Sequence, residues 1–558
     1  MQVNNIVIVG GGSSGWMTCA ALLKLCPWVN VVLVESAKHK PIGVGESTLG
    51  HFNKYLDALG LEDKDWMEYC NATYKNSIQF TDFREIGSTF QYPFGNYYLD
   101  NTANGIEDWF DLQKRYPEEY NPDNISFSQF YNAENDTLVA NNKQWNSDKT
   151  PEGYRDWENY NFKTNTAYHL DAEKFGEFLR DRVCYPWAEK DRFTHVIGEV
   201  RGMVKDVKKG GSPAASNREI KHLAVRLAAD HKTVGVQGDL FIDCSGFKGA
   251  LIEGLMNVNF NDFKEILAND RAHFARLPYL DIDQRKEIMH NVTDCTAAQN
   301  GWMWTIPLWN RIGVGYAWSS RFAMENETEQ EFQIWIEQKF GIAPDEYEIT
   351  TIEMKHGYRD KAWELNCLAI GLSYGFVEPL ESTGLLTTHE SILRLVDILN
   401  RRKGYVTMLE RQWYNYCARR ELIGFAKFVA MHYALSMRTD NPYWKWCTQR
   451  NEYMFEEFDG NIKVNDNFER MGSVLDHAEP LNANMHGMNY IAAGQGLQLG
   501  TRYLMGSEEN EHMLGVSKES REEYINEVKR FVESDDCPTH YDFLLEHIYG
   551  EDNVEYLP

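Results

Sequence analysis

The sequence predicts an α/β fold, and three observations carry that reading. The chain opens on a strand, a glycine-rich turn, a helix and a second strand. Residues 194–245 alternate apolar and polar like β-structure, and strand-sized apolar runs recur at 302–307 and 367–372. From about residue 385 the spacing turns helical and stays so to the C-terminus.

Each element has its reason. Asn5–Val9 is a short buried-strand run, followed at once by Gly10-Gly11-Gly12-Ser13-Ser14-Gly15. Trp16 to Leu25 carries helical apolar spacing, and Val29–Val34 is a second strand run ending in Glu35, 20 residues beyond Gly15. Strand, GxGxxG, helix, strand and acid form the dinucleotide fingerprint in its required context. Gly10 permits the tight turn, Gly12 lets the backbone reach a pyrophosphate, and Gly15 lets the helix pack on the strand. The helix start, with Ser13 and Ser14, offers N–H groups and a positive dipole end to phosphates. Glu35 can accept from ribose hydroxyls.

A second glycine-rich turn, Gly43-Val44-Gly45-Glu46-Ser47-Thr48, precedes a helical stretch to about residue 75. Residues 85–165, rich in Asn, Asp, Tyr and Gly, read as long loops and short strands. Asp171 is placed as the N-cap of a helix with Phe175, Phe178 and Leu179 on one face. The run Cys367–Leu372 leads into Phe376-Val377-Glu378-Pro379-Leu380-Glu381-Ser382-Thr383-Gly384. Residues 506–558 are acidic and read as a solvated helical tail. No internal repeat or low-complexity linker appears.

Composition narrows the function. With 83 acidic and 56 basic side chains among 558 residues, the net charge is −27. Such a chain repels nucleic acid and anionic membranes at long range. No apolar run approaches the roughly 18–20 residues of a membrane span, and the N-terminus lacks the basic region of a signal peptide. Ten cysteines are scattered, the closest pair seven apart with no CxxC, which suits reduced thiols in the cytoplasm and offers no zinc signature. His389-Glu390-Ser391-Ile392-Leu393 begins like HExxH but has Leu393 where the second histidine belongs, so no metal is expected. The 28 Phe, 30 Tyr and 16 Trp fit a large core, and equally a cavity for a flat ligand.

Several of these motifs together resemble the flavin-dependent halogenases of the tryptophan-halogenase type. The carrying residues are the GxGxxG at 10–15, Lys75 in Tyr74-Lys75-Asn76-Ser77-Ile78, Trp302-Met303-Trp304-Thr305-Ile306-Pro307 matching WxWxIP, and Glu378–Gly384. GVGEST at 43–48, Tyr168-His169-Leu170-Asp171 and Asp243-Cys244-Ser245-Gly246-Phe247 add to them. The matches run in the family's order from residue 5 to about 390, with weaker similarity to about 450.

The resemblance implies an FAD monooxygenase-like dinucleotide-binding domain with an interleaved substrate-binding β-sheet over 1–400. A mainly helical, substrate-covering region with the acidic tail would occupy 401–558. It implies halide, oxygen and reduced FAD as reactants, giving hypohalous acid and then electrophilic substitution on an electron-rich aromatic such as an indole or phenol. Flavin would be held by Gly10, Gly12, Ser13, Ser14, Gly15, Glu35, Val44, Gly45, Ile197, Leu372 and Leu385, near a halide turn at Thr383 and Gly384. Lys75 would hold the hypohalous acid or be halogenated on nitrogen. Glu381 would polarise that acid or take the proton from the ring carbon. The pair stands 306 residues apart, so only the fold can join them. Phe94 would stack the substrate, and Trp302 and Trp304 would form part of a wall between flavin and substrate. No second dinucleotide fingerprint appears, which points to a separate flavin reductase. A homo-oligomer is left open.

Two alternatives share the fingerprint. A flavin-dependent aromatic monooxygenase needs no Lys75, WxWxIP or halide turn, and a non-catalytic flavin-binding protein would keep the glycines alone. Gln91-Tyr92-Pro93-Phe94 stands where tryptophan-specific members carry His-Pro-Phe, and the C-terminal region has no clear match to residues that grip an amino acid. Both departures argue against free tryptophan as the substrate.

Overall fold

In the computed structural model, which describes residues 1–37, 45–95, 109, 112–113, 115–120, 124–157, 160–205, 219–449, 485–496 and 518–550, Asn5–Val9 is an inner strand of an eight-stranded sheet. It pairs in parallel with Asn30–Glu35 on one side and Leu240–Asp243 on the other, with Val7 level with Val32 and Phe241. Phe193–Lys205 and Cys367–Ala369 extend this parallel core. Ile220–Leu227, Thr233–Gln237 and Trp363–Glu364 complete it antiparallel. Four of the five residues in Asn5–Val9 are buried, as expected of a parallel strand covered on both faces. The helix Ser13–Leu25 is buried from Gly15 to Leu23, because Cys19, Ala20 and Ala21 keep it thin enough for close packing.

These elements belong to one of two compact units that interleave along the chain. The first comprises Met1–Asn71, Leu170–Phe263 and Lys355–Ile423, and the second Ala72–His169, Lys264–Met354 and Gly424–Pro558. A seven-stranded, mainly antiparallel sheet organises the second. Its order is Thr350–Glu353, Arg271–Leu277, Ile312–Trp318, Gly301–Pro307, Val292–Ala297, Ser77–Thr81 and Thr89–Pro93. The WxWxIP run is the fully buried strand Gly301–Pro307. Trp304 lies over Gly315 so closely that a Cβ there would sit 2.0 Å from the indole, so glycine makes room for the ring.

Three local expectations are corrected. The helical stretch to residue 75 ends early, at Phe52–Leu59 and a short turn Asp63–Trp66, and Lys75 lies in the strand Thr73–Lys75 instead. Gly60, at φ +64°, closes the first helix. Within 85–165, Ser126 and Asn132 cap two short helices, Phe127–Tyr131 and Ala133–Ala140, where loops and strands were expected. The C-terminal tail is not simply solvated. Tyr524, Ile525, Val528, Phe531 and Val532 form a buried stripe along the helix Lys518–Val532, and Phe531 meets Trp145 at 5.0 Å. The acidic composition hides that stripe, because apolar residues at i, i+4 and i+7 need only one face.

The helices Thr383–Arg401, Met408–Ala434, Pro442–Gln449 and Met485–Gly494 confirm the turn to helical structure after 385. Among the described residues no helix is long and apolar enough to cross a membrane.

Candidate active site

The glycine-rich turn separates structural glycines from one that faces open space. A Cβ at Gly10, where φ is +120°, would stand 2.1 Å from the Cys244 carbonyl oxygen, and one at Gly15 would stand 1.9 Å from the Gly10 oxygen. A Cβ at Gly12 would meet nothing within 4 Å. Gly12 is also the N-cap of Ser13–Leu25, so no side chain caps the helix's first N–H groups. An open approach to uncapped donors fits the pyrophosphate of FAD. Below the turn, the Asp243 carboxylate accepts from the backbone N–H groups of Ser245, Leu251 and Ile252 at 3.0, 2.7 and 2.8 Å. Asp243-Cys244-Ser245-Gly246 thus anchors the loop on which Gly10 rests.

Glu35 ends its strand beside Ile197, its partner in register, and Ile197 remains 39% exposed. Nε2 of His195 lies 2.8 Å from the Glu35 carboxylate, and the Tyr185 hydroxyl lies 3.0 Å from Nδ1 of the same ring. This support orients the acid expected to meet a ribose.

The segment 371–385 meets the same turn. Gly371 has φ +72°, and a Cβ there would come 3.0 Å from Cβ of Ser14. Leu372, Thr383 and Gly384 line one small pocket together with Gly375, Phe376 and Thr387. Leu385 is buried just inside the helix Thr383–Arg401, and Glu381 is 1% exposed in the turn before it. Where a turn was expected, Glu46–Ser47 is a short strand, and the Ser382 hydroxyl donates to Ser47 at 3.0 Å, which ties that strand to the helix start. Val44 lies outside the described residues.

In the second unit, Lys75 is completely buried, paired in its strand with Ala167. Its ammonium stands over the Phe94 ring, 4.9 Å from the centroid. Burial holds the nearby His169 well below the usual histidine range, with the Lys75 charge adding to the effect. His169 is therefore neutral, its ring between Thr73 and Thr293 at 3.3 and 2.8 Å. Thr73 donates to the Pro307 carbonyl at 2.7 Å, so the Pro307 end of WxWxIP lies beside the lysine's strand. Trp302 and Trp304 pack on each other at 5.5 Å further along that strand, Trp304 level with Cys295 and Phe80.

A family model described as tryptophan halogenase matches residues 5–499. The tryptophan 6-halogenase SttH of Streptomyces toxytricini is 32% identical over 453 residues, 79% of this chain and 80% of that protein. The 7-chloro-L-tryptophan 6-halogenase KtzR of Kutzneria sp. is 33% identical over 450 residues, covering 79% and 81%. Among solved structures, VirX1 in its apo form superposes with TM-score 0.82 at 42% identity, covering 99% of this chain and all of that one. The chain belongs to the tryptophan-halogenase family. It is a flavin-dependent halogenase with the dinucleotide-binding fold of its relatives.

Two features of this halogenase escape sequence reading. The first is His195 behind Glu35. The second is an asparagine cluster behind Phe94. Asn132 and Asn135 each donate to the Phe94 carbonyl at 2.8 Å, Asn135 also donates to the Asn165 carbonyl at 2.7 Å, and the Asn76 carbonyl accepts from the Phe94 N–H at 2.8 Å. Asparagines between aromatic residues read as loop composition, and only their burial reveals the cluster. Tyr92 stacks on Tyr490 at 5.5 Å. Asn135→Ala is expected to cost about 1–3 kcal/mol, because it strips buried carbonyls of a donor. A lowered thermal midpoint checks this.

Proposed function

We propose that this halogenase modifies an electron-rich aromatic, an indole or phenol, with Lys75 and Glu381 acting on hypohalous acid and with reduced FAD arriving from a separate reductase. The observation that carries the substrate reading is the buried ammonium facing the Phe94 ring. A buried cation set on an aromatic face joins a charge for a polar oxidant to a stacking surface for a flat ring.

Bound reduced flavin, with oxygen, supplies the two-electron oxidation of halide. The protein's own groups do the rest. Gly12 and the helix start behind it hold the pyrophosphate, and Glu35 accepts from ribose. Ser13, Ser14, Gly45, Ile197, Leu372 and Leu385 line the flavin, and Thr383 and Gly384 present N–H groups to the halide. Lys75 donates to the oxygen of hypohalous acid or carries the halogen on its nitrogen. Glu381 polarises the acid or removes the ring proton. Trp302 and Trp304 wall the substrate side. Tyr92, stacked on Tyr490, supports a substrate other than free tryptophan. Ten cysteines, all without disulfides, support work in the cytoplasm.

An indole and phenol panel tests the reading by mass spectrometry, with FAD, a reductase, and chloride, bromide or iodide in parallel. Halogenated product is expected, faster with the heavier halides, which are easier to oxidise. Hydroxylated product would mark a monooxygenase, and no product from any aromatic would sink the substrate class.

A further inference from the structure

Glu46 opens the short strand Glu46–Ser47, directly before the serine that receives the Ser382 hydroxyl. Its carboxyl faces the start of the helix Thr383–Arg401. Oε2 lies 4.0 Å from where a Cβ on Gly384 would stand, and among the described residues no other group outside that helix comes so near. That helix start suits an anion. The helix is 19 residues long, has no acidic residue in its first turn, and receives no side-chain cap from Ser382, which sits in left-handed backbone at φ +55°. A halide held on the Gly384 side of that helix start would have the Glu46 carboxyl as a neighbour.

The consequence depends on the proton. A carboxylate beside a halide repels it, whereas a carboxylic acid can donate its O–H. Taking Thr383–Gly384 as the halide turn, as proposed above, we propose that Glu46 gates halide entry: protonated, it donates a hydrogen bond to the halide, and ionised, it expels it.

The surroundings place this switch in a working pH range. Burial raises the Glu46 carboxyl to about 7. Burial alone drives that rise, with no charged neighbour contributing; the titratable groups on the adjoining segments are Glu378 and Glu381 before the long helix, His51 and Lys54 at Phe52–Leu59, and His389 and Glu390 within Thr383–Arg401. Burial holds His51 below the usual histidine range and His389 at about 3, so both are neutral near pH 7. Lys54 and Glu390 act on His51. Halide binding is therefore strongest below the Glu46 transition and weakens as pH rises through it. The competent fraction falls about tenfold per pH unit above the transition.

The test is calorimetric titration of sodium bromide into the protein loaded with oxidised FAD, without reductase, at pH 6 and pH 8.5 and constant ionic strength. Wild-type affinity is expected to fall by about tenfold or more between the two. Glu46→Gln, which keeps shape and a donor but cannot ionise, is expected to bind bromide equally at both. The apparent KM for bromide during turnover should follow the same pattern. A wild type with no pH dependence, or a Glu46→Gln variant that retains it, overturns the gate. Gly384→Val separates the two readings. If it loses bromide while the wild type is pH-independent, only the role of Glu46 falls; if it binds bromide as the wild type does, the turn itself is misassigned and the gate falls with it.

Discussion

Lys75→Ala is expected to abolish halogenated product while leaving FAD binding and oxygen consumption by reduced flavin nearly intact. The lysine belongs to the second compact unit and the glycine-rich segments to the first, so its removal should spare the residues proposed to hold flavin. Loss of a positioned proton donor costs about 10²–10⁴-fold in rate. Loss of a nitrogen that carries the halogen would cost more. Lys75→Arg should fail as well, because guanidinium cannot deprotonate and its planar fork does not fit where an ammonium is enclosed. Glu381→Gln keeps volume and should lower turnover strongly through loss of a proton acceptor. Parallel oxygen-electrode and mass-spectrometric measurements decide the point. Product at the usual position and rate from Lys75→Ala would reduce the lysine to a structural strand residue.

Gly12→Val is expected to eliminate FAD binding in a protein that still folds. A Cβ at this position meets no protein atom within 4 Å, so the valine has room in the fold. It fills the approach to the uncapped N–H groups of the first helix. Charge-assisted hydrogen bonds are worth about 1.5–3 kcal/mol each, so losing two lowers affinity by roughly 10²–10⁴-fold. Gly10→Ala should behave oppositely. Its Cβ would press on the Cys244 carbonyl in backbone that disfavours alanine, so stability falls by about 3 kcal/mol or more whether or not FAD is bound. Flavin absorbance after desalting, read beside thermal midpoints, separates the two effects. A folded Gly12→Val variant with undiminished FAD affinity would count decisively against the turn as the pyrophosphate site.

Features written in adjacent residues are legible in the sequence itself. The opening strand, glycine turn and helix are written in adjacent residues, and Gly15 has a local steric reason in the Gly10 carbonyl, although the need for glycine at Gly10 comes from the distant Cys244. Asp171 caps its helix by accepting from the N–H groups of Glu173 and Lys174, at 3.1 Å each, a contact two and three residues long. The strand at WxWxIP is visible because its own composition demands burial.

Tertiary structure decided the rest, and the reason is non-local pairing. Lys75 reads as helical because three residues are too few for a strand period, and its strand exists only through Ala167, Tyr168 and His169 far along the chain. The asparagines behind Phe94 come from three separated stretches, and their hydrogen bonds gain meaning only once water is excluded. Glu46 is one carboxylate among 83 acidic residues until burial sets its proton and Gly384 becomes its neighbour. By itself the sequence determined the opening strand, glycine turn and helix, the helical C-terminal region and the family. Which side chains are buried, and which groups they face, was decided by chain segments that meet only on folding.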